Sequence, residues 1–204
     1  MHVCIHRGSQ EIGGSCVEVE AAGQRLLLDL GLPLDAGFDE PTLLPDVSGL
    51  DGGDPTLAGL VVSHGHPDHW GLAPGVSPDV PLYVGEVTAR ILREAMFFTP
   101  MGADLSPSGF LRDGHEIKIG PFLVTPRLVD HSAFDAYAIE VEAGGKRLLY
   151  SGGGCPDRRG TSTAIRWVDG QTVTGSRVSG RLRFLGAAAR AWRSTAITSF
   201  ARSR

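Results

Sequence analysis

Apolar and polar positions along this 204-residue chain fall into short blocks, most of them strand-length. "HVCIH" (2–6) and "SCVEVEA" (15–21) predict two strands on either side of the glycine-rich turn "RGSQEIGG". "QRLLLDLGL" (24–32) is a nearly continuous apolar strand that ends in Asp29 and Gly31. Residues 32–56 are rich in Pro, Asp and Gly and predict a surface loop. "LAGLVVSH" (57–64) predicts a buried strand running straight into a histidine-rich segment. "VPLYVG" (80–85) predicts another strand, and "EVTARILREAMFF" (86–98) an amphipathic helix with Val87, Ile91, Leu92 and Ala95 at helical spacing. Four further strands follow in "HEIKIG", "FLVTPRLVD", "AYAIEVEA" and "KRLLYSG", with turn residues at Gly120-Pro121 and Gly144-Gly145. Strands at both ends of a helical middle predict an α/β sandwich rather than a barrel. No internal repeat is present.

Composition adds a boundary. A hydrophobic content of 42% describes a soluble globular chain with enough apolar residues for a core. No apolar run approaches the roughly 20 residues that span a bilayer. "MHVCIHRGSQ" is too short and polar for a signal peptide, so a cytoplasmic location is expected. Cys4, Cys16 and Cys155 lack metal or redox spacing and are expected to be reduced, packed thiols. The net charge of −4 conceals an asymmetry. Residues 155–204 carry ten arginines and two aspartates, a net +8, while the rest carries nine basic against 21 acidic residues, a net −12. The chain accordingly divides into residues 1–153, a folded domain, and 154–204, an Arg-rich tail of uncertain fold.

The candidate chemistry sits in "VVSHGHPDHWG" (61–71), which places His64, His66, Asp68 and His69 within six consecutive positions. Imidazole nitrogens and carboxylate oxygens are ligands for Zn²⁺, and catalytic zinc sites leave one position for water. His64 and His66 flank Gly65, so on an extended backbone both rings can point the same way. Gly65 and Pro67 let the chain turn sharply and bring Asp68 and His69 in from another direction. Four ligands with two orientations suit two adjacent metals, a pair that can share a hydroxide and clamp a phosphoryl displacement.

"SHGHPDHWG" resembles the signature of the metallo-β-lactamase superfamily, and the wider pattern is most similar to its ribonuclease J and beta-CASP RNA-processing branch. "HRGSQEIGGSCVEVEAAGQRLLLDLGL" resembles that branch's opening, and "LVDHSAFDAYAIEVEAGGKRLLYSG" its later motifs; together these cover residues 2–153. The resemblance implies a metallo-β-lactamase-type αβ/βα sandwich, incomplete at its C-terminal half. It implies one zinc held by His64, His66 and His131, and a second held by Asp68 and His69, the two residues closest to the catalytic step. Asp29 is expected beneath the site, orienting a ligand by hydrogen bonding, with a turn role as its alternative. Ser132 and Asp135 are expected to fix the loop carrying His131, or simply to cap a turn. His2, His6 and His115 match no motif.

The family pattern calls for a metal-bridging aspartate after "KRLLYSG", where this chain has "SGGG" with Gly153 at that position. No histidine follows His131, and no counterpart of the beta-CASP cap is recognisable. Asp157 is a poor substitute because it would require local rearrangement. The second zinc is therefore expected to be weakly held or absent, and activity impaired. Because the resemblance ends where acidic residues nearly vanish, a frameshift, truncation or fusion near codon 153 is expected, which the coding DNA decides. The function implied is a zinc-dependent hydrolase of RNA phosphodiesters. The alternatives are a small-molecule thioester or ester hydrolase, and a non-catalytic remnant binding nucleic acid through its basic tail. The acidic front segment does not itself advertise a phosphate-binding surface. RNA or another nucleic acid is the expected partner, with no membrane partner; the oligomeric state is left open.

Overall fold

The computed structural model describes residues 1–8, 13–36 and 44–152, and the backbone of 165–167. Gly153, Cys155, Asp157 and the rest of the Arg-rich tail, apart from the backbone of 165–167, lie outside the described residues. Two sheets face each other. The first holds, in spatial order, β1 (His2–Arg7), β2 (Cys16–Ala21), β3 (Gln24–Leu30), β4 (Leu57–Val61), β5 (Leu82–Gly85) and β6 (Gly109–Leu111). β1 to β3 pair antiparallel, whereas β3 to β6 pair parallel. The second sheet is antiparallel and holds β7 (Ile117–Ile119), β8 (Phe122–Leu128), β9 (Tyr137–Ala143), β10 (Lys146–Tyr150) and β11 (Ile165–Trp167).

β3 explains the sandwich. A strand buried on both faces has no need of polar alternation. Leu26 and Leu28 point into one core with Val17, Val19 and Val61, meeting Phe122, Val124, Ile139, Val141 and Leu148 from the second sheet. Leu27 and Leu30 point the other way, into a core with Leu60, Val62, Trp70, Val84 and Leu92. Each of these fully buried side chains contributes about 1.5–3 kcal/mol by transfer from water.

Two expectations change in the structure. The segment 32–56 is not all surface loop, because Val47 and Leu50 are buried against the second of these cores. The helix α2 (Glu86–Ala95) buries Thr88 and Leu92, while Val87 and Ile91 are 39% and 48% exposed. Only part of the apolar stripe packs: Leu92 joins the core while Val87 and Ile91 stay exposed, and Thr88 turns inward beside Gly65 of the histidine loop. No helix among the described residues is long and apolar enough to cross a membrane.

A polar staple joins β2 and β3 to the long loop. Arg25 reaches Glu18 at 3.4 Å, Asp54 at 2.9 Å and the Ser48 carbonyl at 2.8 Å. The hydrogen bond from His6, aided by the Arg25 charge, holds the Glu18 carboxyl below its ordinary range despite partial burial. A carboxylate lowered on folding stabilises the fold above its unfolded pKa, and that contribution fades as pH falls through the folded value. Glu18→Gln is expected to lower Tm at neutral pH and to converge with the parent at acid pH, as thermal unfolding across that range will read out. A constant offset at every pH would refute the linkage. Cys16 is a buried free thiol whose pKa burial pushes up to about 12, in keeping with a packed rather than reactive cysteine.

Candidate metal centre

The histidine loop leaves the C-terminal end of β4, at the edge where ligands gather in open parallel sheets. Its turn is built by the short helix α1 (Pro67–Trp70), which begins at Pro67 with His66 as N-cap. Proline suits this first position because its missing N–H would be unpaired there in any case. The Trp70 indole N–H donates to the Gly65 carbonyl at 3.0 Å, and the Asp68 carbonyl accepts from the Ser15 N–H at 3.0 Å. At Gly31 a Cβ would lie 1.7 Å from the Asp68 carbonyl oxygen, so only glycine lets the end of β3 pass this close to the loop.

Three ring nitrogens converge. His64 Nε2 lies 3.1 Å from His66 Nδ1, and His131 Nε2 lies 3.2 Å from each of them. His131 arrives from the loop between β8 and β9, a separate stretch of chain. The outward face of the His64 ring decides its tautomer. Ser63 Oγ gives its proton to Asp29 at 2.7 Å, so its contact with His64 Nδ1 at 2.9 Å requires the imidazole N–H to donate. His64 Nε2 then carries a lone pair. His66 Nε2 contacts Ser132 Oγ at 3.3 Å on its outward side. Burial first, and then the neighbouring His69, push the His64 pKa down to about 3, so this ring is neutral at ordinary pH. Burial and His66 also lower His131.

Lone pairs facing one another at such distances repel unless something positive lies between them. Ligand nitrogens on a tetrahedral zinc, at about 2.0–2.1 Å from the metal, stand about 3.3 Å apart. The observed triangle, with sides of 3.1, 3.2 and 3.2 Å, would suit such an ion. These three are the group of His, Cys, Asp or Glu side chains among the described residues whose ligand atoms could hold an ion.

Beside the triangle, His69 Nδ1 donates to Asp29 at 2.6 Å, and its Nε2 faces Asp68 Oδ2 at 3.5 Å. Burial opposes a charged His69, but the Asp29 charge and hydrogen bond prevail and raise its pKa. Asp29 is fully buried and accepts from four donors: the Ser63 N–H at 2.6 Å, the Ser63 hydroxyl, His69, and the Tyr150 hydroxyl at 2.5 Å. Burial alone would raise its pKa; His69 outweighs that and lowers it. Asp29 has φ 62°, in the left-handed region that Asp tolerates better than most residues.

Each expected site residue therefore lies in one place: His64, His66 and His131 in the triangle, Asp68 and His69 alongside, Asp29 beneath, and Ser132 against His66. Ser63 and Tyr150 lie within the motif segments but are not among the expected site residues, yet both hold Asp29. Gly152 closes the site's floor, since a Cβ there would lie 2.9 Å from Ser63 Oγ.

Residues 10–152 match the family model described as "Metallo-beta-lactamase superfamily". Ribonuclease J of Mycobacterium tuberculosis (strain ATCC 25618 / H37Rv) is 31% identical over 154 residues, covering 71% of this chain and 26% of that protein. The chain thus spans about a quarter of the length of that curated relative. Among solved structures, a protein of unknown function from Enterococcus faecalis V583 has a TM-score of 0.58 at 20% identity, covering 89% of this chain and 43% of that one. A subclass B3 metallo-β-lactamase of Bradyrhizobium japonicum has a TM-score of 0.50 at 12% identity, covering 76% of this chain and 56% of that one. Both likenesses concern the fold alone.

Proposed function

Given that the chain belongs to the metallo-β-lactamase superfamily, a family of metal-dependent hydrolases, we propose that it carries a zinc-dependent hydrolytic centre for RNA phosphodiesters. The observation that supports this most is the triangle of imidazole nitrogens at 3.1, 3.2 and 3.2 Å, with the His64 lone pair held inward. Zinc is favoured over a harder ion because the donors are three neutral nitrogens rather than oxygens. Bound there, a divalent ion supplies Lewis acidity and makes a water acidic enough to be a nucleophile near neutral pH. Asp68, partly exposed beside His69, is placed to take up or hold a proton next to the triangle. His69, fixed by Asp29, presents Nε2 on the same side. RNA as substrate rests on the likeness to ribonuclease J over the matched quarter of that enzyme.

The second metal position is the weak part of the centre. Asp68 and His69 are its only candidate ligands among the described residues, and the sequence has glycine at 153 where the family pattern has a bridging aspartate. We expect one tightly held zinc per chain after dialysis, and low activity.

Metal analysis and labelled-RNA cleavage test this together. Alanine at His66 or His131 is expected to weaken zinc binding by at least about 10–100-fold, since even outer partners of a ligand cost that much. Two zincs surviving dialysis would contradict the one-site reading. Unchanged zinc affinity in both variants would remove the metal centre. Zinc-dependent cleavage of a thioester but not of RNA would move the substrate to the small-molecule class.

A further inference from the structure

His64 and His66 share one short loop, so their spacing is set locally; His131 comes from a loop 65 residues further on, and something must hold it in register. The base of that loop is closed by the Val129 N–H donating to the Ala136 carbonyl at 2.9 Å, and by the Tyr137 N–H donating to the Ser63 carbonyl at 3.0 Å. Its apex is held elsewhere. The Asp135 carboxylate accepts from the Val87 N–H at 2.8 Å and the Thr88 N–H at 3.0 Å, and contacts the Thr88 hydroxyl closely. The same hydroxyl lies 3.2 Å from the Phe134 carbonyl.

We infer that Asp135 is a positioning residue for the metal centre: from a distant loop it caps the N-terminus of α2 and thereby locks His131 against the His64–His66 loop. This rests on the reading that His131 is a metal ligand. Four observations carry it. The helix has Gly85 as N-cap and no local side-chain cap, so its first N–H groups need an acceptor from outside. A carboxylate at that end satisfies two of them and meets the positive end of the helix dipole. At Gly85 a Cβ would lie 2.3 Å from Asp135 Oδ2, so the glycine leaves the space the carboxylate fills. Asp135 itself has φ 38°, a backbone state that surrounding contacts must hold in place. The circuit closes through Thr88, whose methyl would lie 3.3 Å from a Cβ on Gly65, in the middle of the histidine loop. Thus the element that Asp135 grips is the one that abuts the other two ligands.

The test uses the full chain with Asp135→Ala, Asp135→Asn, Gly85→Ala, and the Asp135→Ala/Gly85→Ala pair. In metal-free protein, hydrogen exchange at the Val129 and Tyr137 amides is expected to be at least about tenfold faster in Asp135→Ala. Cobalt(II), whose visible spectrum reports tetrahedral binding, should bind about 10–100-fold more weakly, the usual loss when a ligand's outer support goes. Asp135→Asn should fall between, because its carbonyl can still accept from one N–H. Gly85→Ala should reproduce the loss by displacing the carboxylate, and in the pair it should add nothing to Asp135→Ala, since coupled residues are not additive. If Asp135→Ala does not fold, Asp135→Asn and Gly85→Ala carry the same comparison.

Parental exchange rates in the variants would overturn the inference, as would faster exchange with undiminished cobalt affinity, or full additivity in the pair. Failure of the parent chain to bind cobalt would instead refute the metal reading, and the exchange measurement would still decide whether Asp135 holds the loop.

Discussion

Asp29→Asn is expected to destabilise the metal-free protein by about 3–5 kcal/mol, the usual cost of breaking a buried, hydrogen-bonded charge pair by removing one partner. The carboxylate accepts from the Ser63 N–H and hydroxyl, His69 and Tyr150, and is fully buried. An asparagine keeps the shape but offers one acceptor oxygen, and its NH₂ group must then face donors. At least one buried donor is left without a partner, which by itself costs about 1–3 kcal/mol. The choice of asparagine isolates this effect. It tolerates the left-handed backbone at φ 62° about as well as aspartate, so backbone strain does not enter. Urea unfolding measures the difference. A loss below about 0.5 kcal/mol, typical of surface changes, would mean that the cluster beneath the site is not held by its charge. The same variant frees the His69 ring, so it should also loosen whatever binds beside Asp68.

How much of this was legible in the sequence depends on chain separation. The candidate ligands at 64, 66, 68 and 69 declare themselves because a strand and a proline-initiated turn deliver them within one loop. The strands β1 to β5 and β7 to β10 follow from apolar blocks bounded by glycine, as does the helix after Gly85. The three-residue β6 is too short to show a period, and its pairing with β5 is purely tertiary. The packed face of α2 is only half legible: Leu92 packs as its helical spacing predicts, whereas Val87 and Ile91 share that spacing yet stay exposed and the polar Thr88 is buried. The support of the site was least legible. Tyr150 lies 121 residues from the Asp29 it holds, and Asp135 lies 47 from Thr88. Nothing near Tyr150 separates it from an ordinary strand tyrosine, and Asp135, expected to fix the His131 loop or cap a turn, gives no sign of Thr88 as its partner; only the fold brings them together.

Gly153→Asp is expected to strengthen binding of a second divalent ion by about 100-fold or more, the upper range for support at a metal site. RNA cleavage should rise by about 10²–10³, the scale of one added electrostatic stabiliser at a reacting centre. The expectation follows from what surrounds the neighbouring residue. Gly152 packs against Ser63, and Tyr150, two residues before it, donates to Asp29 under the histidine loop. The family resemblance calls for a metal-bridging aspartate at the position after Gly152, and Gly153→Asp restores that residue type there. Gly152→Asp is the contrasting control. It combines φ 59° with a Cβ 2.9 Å from Ser63 Oγ, and should damage the fold rather than complete the site. Metal stoichiometry rising from one to two in Gly153→Asp, with cleavage rising in parallel, is the expected pair of readings. Stoichiometry fixed at one would mean that Asp68 and His69 do not form half of a second site, and that these two residues serve the first metal's surroundings alone.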